Sequence, residues 1–367
     1  MKKRKITVIT LQNVRNYGSV LQALATQHVM EQLGLECNFI NYYKNKGFSN
    51  LHRAFNWSKG NILKRLINVC ILYPSFFVDS KLFERFTNKY LHLLPGRYTC
   101  EKELEKLPIE SDIYCTGSDQ TWNSGWNNGI LPELFLKFVP DTIKKISYAA
   151  SIGKSSLDEW EIEETQQLLS RYHAISVREW SAVEICGGLG INATHVLDPT
   201  LQVTKDFWMK IASPRLFNER YVLVYQLNSN PQFDNYAKEF AKRRGCKLIR
   251  LCIRYYQALR SGIPLMIPKP EDFISAISYA DTVITDSFHA TAFSCNLNTP
   301  MICIYPNDYS SRLASLLTLT GLEYRHLTDY NDFSFVEKND VDFTHVNEVL
   351  NREREVGYDF LRRAITD

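Results

Sequence analysis

Short runs of strand-forming residues alternate with segments of helical periodicity along most of the chain. Ile6-Thr-Val-Ile-Thr-Leu11 reads as a buried strand, and Gly18 opens a segment in which Leu21, Ala25, Val29 and Leu33 recur at i, i+4 until Gly34 ends it. Residues 39–43, 112–116, 145–151 and 174–178 follow as strands, the last two separated by a helical stretch over 158–172. After Val196-Leu-Asp-Pro-Thr200 the pattern restarts. Strands are expected at 221–227, 247–252, 282–285 and 300–305, with helices at 235–244 and 272–279.

Alternation of this kind implies an α/β fold with parallel sheets and crossover helices. Because it restarts, it implies two Rossmann-like domains. The break falls between Asp198 and Tyr221, where Asp198-Pro199 and Ser213-Pro214 interrupt the pattern. The expected division is 1–205 as the first domain, with an insertion at about 44–78, then 206–345 as the second. Residues 346–367 form a charged helix expected to pack back on the first domain.

Length and composition agree with this picture. A chain of 367 residues has room for two cores, and 45% hydrophobic with 23% charged residues is ordinary globular composition. The apolar run after the basic start is too short for a signal-peptide core. The longest apolar candidate for a membrane span, 66–78, is interrupted by Asn68 and Pro74. A cytoplasmic location without a membrane-spanning helix is therefore expected. The nine cysteines show neither a C-x-x-C pair nor zinc spacing and read as buried thiols of a reducing compartment.

A net charge of +3 does not suggest nucleic-acid binding, but its distribution is uneven. Between Glu36 and Asp79 there is no acidic residue, whereas Lys44, Lys46, Arg53, Lys59, Lys64 and Arg65 all fall there among aromatic and aliphatic side chains. Such a stretch suits peripheral contact with anionic lipid at the inner membrane face; the plainer reading is a solvated helical insertion.

Ligands of open α/β sheets gather beyond the carboxyl ends of strands, so polar residues that follow apolar strands are the candidates for chemistry. The fullest such segment is Thr282-Val-Ile-Thr-Asp-Ser-Phe-His-Ala-Thr-Ala-Phe-Ser294. Asp286 or Ser287 is placed to cap a helix whose first-turn amides would hold an anion, with the titratable ring of His289 nearby. The alternative is a histidine satisfied by backbone. Arg178, straight after an apolar strand, is placed to fork onto a carboxylate or phosphate, or else to pair with Glu179 or Glu184. Arg312 begins an amphipathic segment and faces either a cleft or solvent. Ser118, Asp119, Gln120 and Trp122, after Gly117, combine groups that suit a sugar ring or a helix cap. Asn16, Tyr17 and Gly18 would contact an acceptor or shape the first turn. Dinucleotide, Walker and metal-ligand motifs are lacking.

These segments, in this order, resemble the polysaccharide pyruvyl transferase family. The matching pieces are Asn16-Tyr-Gly-Ser-Val-Leu-Gln-Ala23, Gly117-Ser-Asp-Gln-Thr-Trp-Asn123, Ser147-Tyr-Ala-Ala-Ser-Ile-Gly153, Ser176-Val-Arg-Glu179, Val196-Leu-Asp-Pro-Thr200 and Thr285-Asp-Ser-Phe-His-Ala-Thr-Ala-Phe-Ser294. The resemblance implies two Rossmann-like domains facing across a cleft, as in GT-B glycosyltransferases. It also implies transfer of the pyruvyl group of phosphoenolpyruvate to a sugar as a cyclic ketal, with release of phosphate. Phosphoenolpyruvate is then a co-substrate, and neither cofactor nor metal is expected. The acceptor would be a hexose of a lipid-linked surface-polysaccharide precursor. Arg178, His289 and Arg312 would surround the donor, with Asp286 and Ser287 beside them; Asn16, Tyr17, Gly18, Ser118, Asp119, Gln120 and Trp122 would face the acceptor. Ala290 stands where many relatives carry glycine, which is tolerable unless the backbone there needs a positive φ. The rival readings are a GT-B-like glycosyltransferase that uses a sugar nucleotide and a non-catalytic sugar-binding partner.

Overall fold

Strands that read as unbroken apolar runs are buried along their whole length, as strands of a parallel sheet covered on both faces must be. Tyr221–Tyr225, Ile113–Thr116 and Thr282–Thr285 all behave this way. The computed structural model describes residues 3–44, 50–57, 61–306 and 311–366. They form two compact units: Met1–Gly47 with Thr87–Val203 and Leu350–Asp367, and Phe48–Phe86 with Thr204–Val349.

The first unit is built on β1 (Lys5–Ile9), β2 (Glu36–Phe39), β3 (Ile113–Thr116) and β4 (Lys144–Ser147), parallel in the order β2-β1-β3-β4. A further parallel pair, β5 (Ser176–Val177) and β6 (Thr194–His195), extends from β4 through the bridges Ile146 to Ala174 and Ala150 to Val177. The chain leaves β1 on one side for β2 and returns on the other for β3. This opens a crevice between the ends of β1 and β3, the place where such sheets bind ligands. Helix α1 (Tyr17–Gln32) follows β1 directly. The second strand lies earlier than the expected 39–43, because its register on β1 runs from Glu36 opposite Lys5 to Phe39 opposite Val8.

The second unit has β7 (Tyr221–Tyr225), β8 (Lys247–Cys252), β9 (Ile263–Met266), β10 (Thr282–Thr285) and β11 (Met301–Cys303), parallel in the order β11-β10-β7-β8-β9. Its crevice therefore lies between the ends of β7 and β10. Val222, Val224, Ile284 and Ile302 pack under Phe233, Tyr236 and Phe240 of the Pro231–Arg243 helix. Burying each such aliphatic side chain contributes about 1.5–3 kcal/mol.

Two expectations change. The basic segment, read as an insertion in the first domain, clusters with the second unit; its residues 45–49 and 58–60 lie outside the described residues. After α2 (Asn50–Trp57), α3 (Ile62–Tyr90) continues through Pro74, which the sequence reading took as a break. The loss of one helical hydrogen bond at proline is offset by anchors in the turn that follows it. Asp79 pairs with Arg254 at 2.9 Å, Ser75 Oγ accepts from the Tyr255 amide at 2.9 Å, and the Arg254 guanidinium covers the Phe76 ring at 4.1 Å.

The Phe343–Thr366 helix passes from the second unit to the first at Leu350. In the first unit Gln202 Nε2 donates to the Arg354 carbonyl at 2.7 Å and Arg4 to that of Ile365 at 2.6 Å. A Cβ at Gly357 would meet the Gln202 amide, which would have to shift to admit it. Not every cysteine is a buried thiol: Cys100 and Cys246 are half-buried and Cys70 is exposed.

Candidate active-site residues

In the first unit, the residues after β1 and β3 meet at the expected crevice. Thr10 Oγ1 donates to the Ser118 carbonyl at 2.6 Å, and Ser19 Oγ to Asp119 Oδ2 at 2.5 Å. Asp119 carries a positive φ of 78°, a conformation that costs free energy outside glycine and clusters at functional sites. Its other oxygen accepts from the Gln120 amide at 2.8 Å. The Gln120 side chain accepts from Asn123 Nδ2 at 2.6 Å.

Four of the matching sequence blocks converge here in one buried polar cluster. Arg178, at the end of β5, donates to Asp198 Oδ2 at 2.7 Å and approaches Asp119 and Glu179 at 3.7 Å each. Asp198 in turn accepts from the Thr200 amide and hydroxyl at 2.9 and 2.7 Å. Glu179 Oε1 accepts from Ser151 Oγ and from the amides of Ile152 and Gly153, all within 2.9 Å. Burial alone would lower the guanidinium pKa, but the three carboxylates outweigh it and raise it.

Arg178, expected at the donor, is thus an ion-pair partner of the carboxylates around it. Its side chain is 0% exposed and faces three carboxylates, whose field would repel a phosphate. Trp122, expected to face the acceptor, packs in the core of the first unit. Its ring stacks on Phe135 at 5.3 Å, meets Tyr172 edge-on at 5.6 Å and donates Nε1 to the Leu134 carbonyl at 3.1 Å. Asn16 caps α1, accepting from the Gly18 amide at 2.9 Å, while Tyr17 and Gly18 are buried within the helix. Ser118, Asp119 and Gln120 remain at the crevice.

In the second unit, Asp286 and Ser287 link β10 to the Phe288–Leu297 helix. Ser287 is the N-cap, its hydroxyl accepting from the Ala290 amide at 3.4 Å. Ala290 is fully buried within this right-handed helix, so alanine meets no backbone strain there. Asp286 reaches across the crevice to the loop after β7, accepting from the amides of Leu227 and Asn228 at 2.7 and 2.9 Å and from Asn228 Nδ2 at 3.0 Å. Burial raises its pKa, and these hydrogen bonds only partly oppose that. Its carboxylate is thus engaged in holding a loop.

His289 lies in the first turn of the helix, 8% exposed and edge-on to Phe288. The Arg312 guanidinium stands over the same Phe288 ring at 5.7 Å. The structure thus brings Ser287, His289 and Arg312 to one helix start, where the first amides have no intrahelical acceptor and the helix dipole is positive. Arg178 belongs to the first unit.

Two groups escaped the sequence reading. At the end of β7, Gln226 Oε1 accepts from both Arg250 and Arg260 at 3.0 Å, and Arg260 also donates to Ser229 at 3.2 Å. The strand-end rule would have found Gln226 had the strand not been extended to residue 227; Arg260 carried no signal. Lys44, counted with the basic insertion, instead donates to the Trp126 carbonyl at 2.8 Å with its ammonium 3.4 Å above that indole. Burial lowers its pKa to about 8, against the opposing pull of Asp119.

No curated protein sequence matches the chain. Its fold is that of solved GT-B glycosyltransferases and epimerases. The S. aureus MnaA–UDP co-structure is similar at 12% identity and a TM-score of 0.52, with 94% of this chain and 90% of that one covered. A putative UDP-N-acetylglucosamine 2-epimerase from Listeria monocytogenes (10% identity, TM-score 0.50, 97% and 91% covered) is comparable. So is AviGT4, a glycosyltransferase of avilamycin A biosynthesis (11%, 0.50, 99% and 99%). At these identities the likeness is one of fold. The polysaccharide pyruvyl transferase family model matches residues 16–308, most of the chain, and the protein belongs to that family.

Proposed function

We propose that the protein transfers the pyruvyl group of phosphoenolpyruvate to two hydroxyls of a hexose in a lipid-linked polysaccharide precursor. The observation that carries this reading is the meeting of Ser287, His289 and Arg312 at the start of the Phe288–Leu297 helix. A positive helix end beside a guanidinium suits a donor that bears both a phosphate and a carboxylate.

The reaction begins with protonation of the terminal enol carbon, for which His289 is the candidate acid. A sugar hydroxyl then adds to the resulting cationic carbon and loses its proton. The second hydroxyl adds as the carbon–oxygen bond to phosphate breaks. Of the two protons released by the hydroxyls, one restores the acid and the other leaves with phosphate. Arg312 and the first-turn amides neutralise the departing phosphate. Asp286 acts as a positioning residue that fixes the loop after β7. On the acceptor side, Ser118, Asp119 and Gln120 offer hydroxyl contacts, and Arg178 is a positioning residue that holds Asp119.

The test supplies phosphoenolpyruvate or sugar nucleotides together with candidate acceptors. Acceptor-dependent phosphate release is expected. Nucleoside-diphosphate release would move the protein to the glycosyltransferases, and acceptor binding with turnover of neither donor would make it a sugar-binding partner.

A further inference from the structure

Helix α3 is apolar on two opposite sides, and among the described residues only one of them is covered within its unit. At about 100° per residue, Leu72, Phe76, Asp79, Phe83 and Phe86 fall on one side, and all are buried. Leu63, Leu66, Ile67, Ile71, Phe77 and Val78 fall on the other, and all are exposed, Leu63 at 65% and Ile67 at 54%. The apolar stripe spans about 23 Å at 1.5 Å per residue. A soluble helix normally turns charged residues outward, so a stripe this long marks an interaction surface.

Charge identifies the partner. Lys64 stands at one end of the stripe, and Lys81 and Arg85 continue its line at the other, with Glu84 beside them. Apolar side chains between terminal cations fit a helix lying in a lipid interface, its aliphatic residues among the acyl chains and its ammonium groups at the phosphates. Among the described residues, Ile62–Tyr90 is also the one helix long and apolar enough to cross a membrane. Spanning is incompatible with the other side of the helix, where Asp79 pairs with Arg254 and Phe76 lies under two guanidinium groups.

We propose that the exposed stripe of α3 docks the protein flat onto an anionic membrane surface. The inference stands on the stripe and its flanking charges, independently of the donor.

The full chain should co-sediment with vesicles of phosphatidylcholine and phosphatidylglycerol, and do so less at high salt. The double variant Ile67→Gln/Ile71→Gln changes exposed positions and should weaken binding about tenfold or more. Lys64→Gln/Lys81→Gln should weaken it selectively at low salt. Cys70, exposed on the same stripe, should be alkylated more slowly when vesicles are present. Absence of sedimentation would overturn the proposal. Equal binding to pure phosphatidylcholine would overturn the assignment to an anionic surface. A dimer in solution that the isoleucine variant dissociates, without vesicle binding, would assign the stripe to a second copy of the chain. Ketal formation on a water-soluble acceptor should be unchanged in these variants, so failure here leaves the proposed reaction standing.

Discussion

The Arg312 guanidinium stands 5.7 Å from the centre of the Phe288 ring, immediately before His289 in the chain, and so shares the positive start of that helix. If it binds the phosphate or carboxylate of the donor, Arg312→Ala should raise KM for phosphoenolpyruvate about 10- to 100-fold, since a charge-assisted contact contributes about 1.5–3 kcal/mol. Arg312→Lys should recover part of this, keeping the charge without the fork. Steady-state kinetics with varied donor checks it.

Arg178 should behave differently. Arg178→Met leaves Asp119, Glu179 and Asp198 buried without their cation and should cost about 3–5 kcal/mol of stability. Adding Asp198→Asn should recover part of that loss, because the two residues form one pair at 2.7 Å. Thermal unfolding of the single and double variants measures both. An Arg178→Met protein of unchanged stability and a raised KM for the donor would instead place this arginine at the donor site.

Asp286 ties the ends of β7 and β10 together. Asp286→Ala removes the acceptor of three N–H donors and should destabilise the second unit by about 2 kcal/mol or more. Faster hydrogen exchange should be confined first to the amides of Leu227 and Asn228.

The patterning of the sequence disclosed the parallel sheets because runs such as Val222-Leu223-Val224 are apolar on both faces of the strand. It disclosed the blocks of the first unit too, but not their meaning. Arg178, Glu179 and Asp198 read as separate strand-end residues, and only their hydrogen bonds show them to be one buried cluster. Trp122 misled for a related reason: an indole beside polar residues looks the same in sequence whether its faces are open or covered by Phe135 and Tyr172. The place of residues 48–86 was hidden as well, since Arg254 lies far along the chain from the Asp79 it meets.

Lys44 links stability to pH. Its folded pKa, about 8, lies below the ordinary 10.5, so folding disfavours the charged amine. That penalty is fully present below the folded value, diminishes as pH rises through it, and disappears above the ordinary value. Lys44→Met should therefore melt at a higher temperature than the parent at pH 7 and lose that advantage near pH 10.5.

The most direct test of the central claim is mass spectrometry of candidate lipid-linked sugars after incubation with phosphoenolpyruvate and either the parent protein or His289→Ala. The account predicts a pyruvyl ketal mass gain with the parent and a rate about 10²- to 10⁴-fold lower with the variant. A full ketal-forming rate from His289→Ala would contradict the role given to that residue, and no gain on any acceptor, with nucleoside diphosphate released when sugar nucleotides replace phosphoenolpyruvate, would contradict the reaction itself.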